Sequence, residues 1–381
     1  MIRRMKIGNF KSLDDLSVPM SKLTCLIGLN GSGKSTFLQA MDFLAHVITG
    51  EVDAWLTVRE WSNQDLTCRL LTKRLIGFHV ELAFPASPTV SWNGSYNPAT
   101  HRCHNESVAI EDDSKVIFFS KPGSYSEYST GSGSENKITF DYQGSILSRL
   151  KTDNPHLLQL KTFFTELKSL ELLSPHLMRH RARTAADIGL GGEKLSAFLY
   201  GLPKENRAQI IAALQTLYPH LTDFHISNQR PGWKKLSIQE DVAAAKPMLT
   251  EARHINDGLL RQLAIVAQTY SSHRCLLFDE IENGMNQEII GKLIDILLKA
   301  RQQIVITTHS PQILNFLPDD VARESVLFFY KTPQGFSRAR RFFDLPLTAK
   351  KLAILGPGEV YADTDLEALV QEALRLDNGA P

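Results

Sequence analysis

The residues best suited to chemistry in this chain are one lysine, one serine hydroxyl and a pair of carboxylates, carried by separated stretches. Gly28-Leu29-Asn30-Gly31-Ser32-Gly33-Lys34-Ser35-Thr36 fits G-x-x-x-x-G-K-[ST], the loop that cradles phosphates. Three glycines in six positions let the backbone bend round an anion with its N–H groups turned inward. The following helix N-terminus adds about half a positive charge. Asn30, Gly31, Ser32, Gly33 and the backbone of Ser35 and Thr36 would hold the phosphates. Lys34 would reach the β- and γ-phosphates, and the Ser35 hydroxyl would ligate Mg²⁺.

A second stretch, Leu276-Leu277-Phe278-Asp279-Glu280, is an apolar strand followed by two acids, a Walker B pattern. Asp279 at the strand end can hold the same Mg²⁺ as Ser35. Glu280 is then placed to orient or deprotonate an attacking water. Two adjacent acids also suit a solvated turn, but a P-loop about 240 residues upstream favours the metal site. Thr307-Thr308-His309-Ser310-Pro311 follows the next apolar strand, where His309 can donate to a γ-phosphate. Ser310 and Pro311 also read as the cap and first residue of a helix. Ile255-Asn256-Asp257-Gly258-Leu259-Leu260-Arg261 opens a helix about twenty residues before Walker B, a further N-terminus suited to an anion. Lys34 already holds the chain's own nucleotide. Asn256, Asp257 and Gly258 therefore point to a head-to-tail homodimer in which each copy closes the other's ATP, against the plain reading of a capped helix.

These loops need strands and helices to position them. Leu23 to Ile27 is apolar and β-prone, and Phe37, Leu38, Met41 and Leu44 recur at helical spacing up to about Thr49. Residues 1–10 read as a strand ahead of a turn at Asp14-Asp15. Ile76, Phe78, Val80, Leu82 and Phe84 alternate as a half-buried strand. Asn93-Gly94 signals a hairpin, Val116–Phe119 and Ile138–Tyr142 further strands, and the Ser/Gly/Tyr-rich stretch Lys121–Asn136 a mobile loop. Helical stripes (Leu157, Leu158, Leu160, Phe163, Phe164, Leu167; Ile210, Ile211, Leu214, Leu217) mark a helical insertion. Strand–helix alternation then returns with Arg274–Phe278, Gln287–Ala300, Gln303–Thr307, Pro311–Phe316 and an edge or final strand Val326–Tyr330; a helix near Leu366–Leu376 ends the chain. The expected units are an N-terminal lobe 1–144, a helical insertion 145–222, a C-terminal lobe 223–345 and a tail 346–381.

The 381 residues carry a net charge of +1, so any polyanion must meet a local patch rather than the whole surface. Arg179-His180-Arg181-Ala182-Arg183 and Arg338-Ala339-Arg340-Arg341 are such patches, suited to DNA phosphate or merely to solvent. Four scattered cysteines imply no disulfide framework. No apolar run is long enough to span a membrane, and the N-terminus lacks a signal-peptide core, so a cytoplasmic location is expected. His101-Arg102-Cys103-His104 has ligand types in a spacing that fits no standard zinc site.

The ordered set resembles the ABC-type ATPases of the RecF, SMC and OLD group, in particular stand-alone bacterial AAA-family ATPases. Asn9-Phe10-Lys11-Ser12-Leu13 is similar to that group's N-terminal motif, and Asn30 to its P-loop. Asn256–Arg261 resembles its signature, Asp279–Gly284 its Walker B and D-loop, and Thr308–Pro311 its H-loop. Leu173-Ser174-Pro175 and Gly192-Glu193-Lys194-Leu195 touch it within the insertion. Asn256 stands where the group has serine, and Ile281 where it has proline. The resemblance implies an α/β P-loop NTPase fold, an ABC-ATPase head with an antiparallel β subdomain and a helical insertion. It implies a Mg²⁺-dependent ATPase that dimerises on ATP and acts on DNA in repair or anti-phage defence. Gln64 is the candidate Q-loop metal ligand. A rival reading is a slow switch that restrains a partner effector, a nuclease or toxin; a transporter motor fits the signature, D-loop and Phe10-Lys11-Ser12 less well.

Overall fold

The computed structural model describes residues 1–111, 115–129, 132–241 and 247–378. A six-stranded sheet positions the loops. Its order is Leu167–Ser169, Cys275–Phe278, Gln303–Thr307, Leu23–Gly28, Val326–Lys331 and Ser337–Arg341. The first five strands are parallel and the last is antiparallel. A parallel sheet must be covered on both faces, and its strands read as continuous apolar runs for that reason. Strand alternation divides each run between two cores. Leu276 and Phe278 join one core, and Cys275 and Leu277 the other.

The first core lies under the helices Asp257–Thr269 and Gln287–Lys299 and extends into the insertion. The second lies under the helix Lys34–Thr49, which packs in turn on an eight-stranded antiparallel sheet built from strands between Ile2 and Lys137. That sheet's burial alternates as its sequence does: Ile76, Phe78, Val80 and Leu82 face inward. Fully burying a side chain such as Phe43 or Phe37 stabilises by about 1.5–3 kcal/mol. Gly50 ends the P-loop helix in the left-handed region, as a C-terminal glycine does.

Several expected elements differ. Asn93-Gly94 makes no turn; it lies inside the strand Val90–Asn97, where Gly94 lets Phe78 and Asn105 approach. Lys121–Asn136 is no loop but pairs as Ser124–Ser129 with Ser132–Lys137, residues 130–131 lying outside the described set. Cross-strand pairing overrode a turn-prone composition. Ile138–Tyr142 forms no strand. Val326–Lys331 is neither an edge nor the final strand, because Ser337–Arg341 follows and covers it. About half of the stretch 145–222 is helical, yet its strand Leu167–Ser169 joins the central sheet beside Walker B, and its helix Pro155–Thr165 packs on the P-loop helix. A three-stranded sheet follows: Leu221–Gln229, Trp233–Glu240 and Met248–Glu251. No helix among the described residues is long and apolar enough to cross a membrane.

Candidate functional site

Parallel strands bring their C-terminal ends to one edge, and the loops that follow Leu23–Gly28, Cys275–Phe278 and Gln303–Thr307 meet there. The P-loop's shape depends on its glycines. Gly28 has φ +136°, and a Cβ there would lie 2.2 Å from the Phe329 carbonyl oxygen. Gly33 has φ +111°, and a Cβ there would meet Ser337 Oγ at 2.2 Å. The helix beginning at Lys34 has no side-chain cap, so its first N–H groups are left for a ligand. Ser32 Oγ is buried without a partner. An orphaned hydroxyl and uncapped amides in a glycine cradle fit a bound phosphate chain.

Lys34 folds back over the loop, donating to the carbonyls of Gly28 at 2.9 Å and Leu29 at 3.2 Å. Burial lowers its pKa, against the pull of Asp279, Glu280 and Glu282. Ser35 Oγ donates to Asp279 Oδ1 at 3.1 Å. Thr307 Oγ1 donates to the same oxygen and accepts the Glu280 N–H at 2.8 Å. These are hard oxygen donors, few in number, as suits Mg²⁺, which keeps waters and substrate phosphates as its other ligands. The described residues hold no group of three His, Cys, Asp or Glu ligands.

Glu280 sits at φ +44°, a left-handed conformation that costs a non-glycine residue about 1–3 kcal/mol and that clusters at functional sites. Its Oε1 is 4.0 Å from His309 Nε2, and its Oε2 accepts from Asn283 Nδ2. Glu282 ties the two loops together, accepting from Thr308 Oγ1 at 2.9 Å and His309 N–H at 2.8 Å. Ser310 occupies the cap position before Pro311 but makes no side-chain capping bond.

Asn256 and Asp257 are exposed on the signature turn. Asn256 Oδ1 accepts the Leu259 N–H at 2.8 Å, capping the helix Asp257–Thr269. Gly258 lies against the D-loop: a Cβ there would be 2.5 Å from the Gly284 carbonyl oxygen. Arg179 donates to the Ile255 carbonyl at 2.7 Å and Asp257 Oδ1 at 2.6 Å.

Gln64 is exposed in the short turn Asn63–Asp65 and shares no hydrogen bond with Ser35 or Asp279. Two residues past the end of the strand neighbouring Walker B lies instead Glu171, whose carboxyl feels Asp279 electrostatically. Glu171 is buried and bonded to Arg59, which also holds Asp42 at 2.8 Å. Burial pushes its pKa up to about 7; Arg59 pulls the other way. Sequence reading missed it because a three-residue strand carries no periodic signal. Beside the P-loop, Lys11 donates to Gln39 Oε1 at 2.8 Å and lies 3.3 Å from the centre of the Trp61 ring, lining a cavity of about 570 Å³ with Ser12, Cys68 and Leu70.

Residues 1–117 match a family model described as an AAA ATPase domain, and residues 249–315 match an AAA-domain model named for the AbiEii toxin of type IV toxin–antitoxin systems. The chain is 31% identical over 67 residues to an OLD nuclease of Thermus scotoductus, 18% of this chain and 13% of that protein. It is 37% identical over 65 residues to the nickel import ATP-binding protein NikO of Rhodobacter capsulatus, 17% of this chain and 26% of that protein. The chain thus matches about an eighth and a quarter of the length of these relatives. Its fold is similar to an SMC head solved with the C-winged helix domain of ScpA, at a TM-score of 0.56 and 13% identity, covering 89% of this chain and 97% of that one. An SMC head with an extended coiled coil, bound to the C-terminal domain of ScpA derived from Pyrococcus furiosus, gives 0.50 and 13%, over 89% and 95%. Motif order, both family matches and the head fold agree in their likeness to the ATPases of the RecF, SMC and OLD group.

Proposed function

We propose that this chain binds ATP with Mg²⁺, hydrolyses it, and dimerises head to tail around it. The observation that carries the reading is the contact between Ser35 and Asp279, 244 positions apart, with Glu280 and His309 beside it. Lys34 leaves its two carbonyl partners for the β- and γ-phosphates. Ser35 and Asp279 hold the metal, which when bound neutralises charge on the phosphate oxygens. Glu280 accepts a proton from the attacking water, and His309 donates to the γ-phosphate. The exposed Asn256–Gly258 turn reaches the triphosphate of the second copy; the Asn256 amide nitrogen remains a donor because only Oδ1 serves the cap. The cavity lined by Lys11 and Trp61 houses the nucleoside.

Glu280→Gln should bind ATP, stop turnover and accumulate as a dimer in size-exclusion chromatography. A variant that hydrolyses ATP at the wild-type rate removes the base assignment. The target we propose is DNA, in repair or defence. A regulatory switch that restrains a partner effector is favoured by one observation, the asparagine at the signature position, which offers an amide where the group has a hydroxyl. ATPase rates of the purified chain with and without DNA separate the two: a rate that is slow and indifferent to DNA supports the switch.

A further inference from the structure

The three-stranded sheet Leu221–Gln229, Trp233–Glu240 and Met248–Glu251 lays one face on the helices Leu195–Gly201 and Lys204–Leu217, burying Phe224, Leu236 and Ile238. Pairing of Gln229 with Trp233 and of Ser227 with Lys235 sets these four residues on the opposite, outward face. Ala182 pairs with Lys234 through an antiparallel bridge, which brings Arg181 and Arg183 to that same face. The Arg183 guanidinium lies 4.9 Å from the centre of the Trp233 ring. Lys235 is neutralised by Glu251 at 2.8 Å, and Asp223 by Arg207 at 2.9 Å. Arg181, Arg183 and Arg230, at the hairpin tip, are exposed and form no ion pair among the described residues.

We infer that this outward face binds single-stranded nucleic acid. Unpaired arginines beside an aromatic ring on an open sheet face meet both halves of such a ligand: phosphates pair with the cations, and an unstacked base lies on the Arg183–Trp233 layer. A duplex hides its bases from a stacking platform, and an acidic protein segment has no use for one. Arg179, two residues before Arg181, grips Ile255 and Asp257 at the signature turn, so a strand held at Arg181 and Arg183 bears on the element that meets the D-loop at Gly284. This link to turnover rests on the reading of that turn as part of an ATPase; the binding surface does not.

The test is fluorescence anisotropy of a labelled oligothymidylate of about 20 nucleotides, without ATP, across a salt series. The paired change Arg181→Glu and Arg183→Glu should weaken binding at least about tenfold and flatten the log–log salt slope by roughly 1.4, about 0.7 per lost phosphate contact. Trp233→Ala should weaken it at least about fivefold with the slope kept. Arg179→Lys should keep oligonucleotide binding and lose ATPase stimulation by the oligonucleotide. Unchanged melting temperatures separate these effects from misfolding. The inference is overturned if the double variant or Trp233→Ala binds like wild type, or if a duplex or polyglutamate competes as well as unlabelled single strand. A Glu280→Gln result contrary to expectation would leave the oligonucleotide arm standing, because that arm contains no nucleotide.

Discussion

Glu282 joins the loop after Walker B to the loop that carries His309, and removing it should cost the site its preference for ATP over ADP. Its Oε1 takes two donors, the Thr308 hydroxyl and the His309 N–H, while its Oε2 is buried and unpartnered. Hydrogen bonds to a charged group contribute roughly 1.5–3 kcal/mol each, so the pair holds the loop with about 3–6 kcal/mol. The orphaned Oε2 costs about 1–3 kcal/mol of desolvation, which Glu282→Ala relieves. The net loss of stability therefore lies within about 0–5 kcal/mol, with a mid-range of about 2–3 kcal/mol, and is smaller where water replaces the carboxylate at this half-exposed residue. The loss of positioning is not offset in this way, because relieving Oε2 does nothing to hold His309. At about 1.4 kcal/mol per factor of ten, ATP affinity should fall at least about tenfold. ADP has no γ-phosphate and rests on the P-loop, so its affinity should stay. Glu282→Gln keeps an acceptor at the Oε1 position and should retain most of the preference. Titration with fluorescent ATP and ADP in Mg²⁺, alongside thermal melts, reads both effects. An alanine variant with the wild-type ATP-to-ADP ratio, or a glutamine variant no better than alanine, would refute the reasoning.

Arg59→Met should destabilise the chain by about 3–5 kcal/mol in urea melts, because it leaves the buried Asp42 and Glu171 facing each other without their shared cation. Glu171 itself should make stability fall as pH rises. Burial lifts its pKa to about 7 from an ordinary 4.5, with Asp42 and Asp279 pushing the same way and Arg59 opposing, so between those values the folded chain keeps a proton that the unfolded chain releases. Melts at pH 5 and pH 8 should show this loss in the wild type and a flatter profile in Glu171→Gln; identical profiles would remove the assignment. Gly94→Ala sets a Cβ 2.6 Å from Phe78 Cζ and 2.8 Å from the Asn105 carbonyl oxygen, and should cost about 1–3 kcal/mol, read as a lowered melting temperature.

The sequence alone determined the local parts of this protein. The P-loop helix from Lys34 to Thr49, the strands Cys275–Phe278 and Gln303–Thr307, and the four loops bearing Lys34, Asp279, His309 and Asn256 were legible because their signals are local: glycine spacing, apolar runs and acids at strand ends. Tertiary structure decided what no local pattern encodes. It placed Leu167–Ser169 beside Walker B and so set Glu171, rather than Gln64, on the Asp279 side of the sheet. It paired Ser124–Ser129 with Ser132–Lys137 despite a loop-like composition, and ran a strand straight through Asn93-Gly94. It turned Arg181 and Arg183 from a charge run into one side of a sheet face with Trp233. Backbone pairing between distant segments selects among conformations that a short stretch finds nearly equal in energy, and that selection exists only once the partner strand is in place.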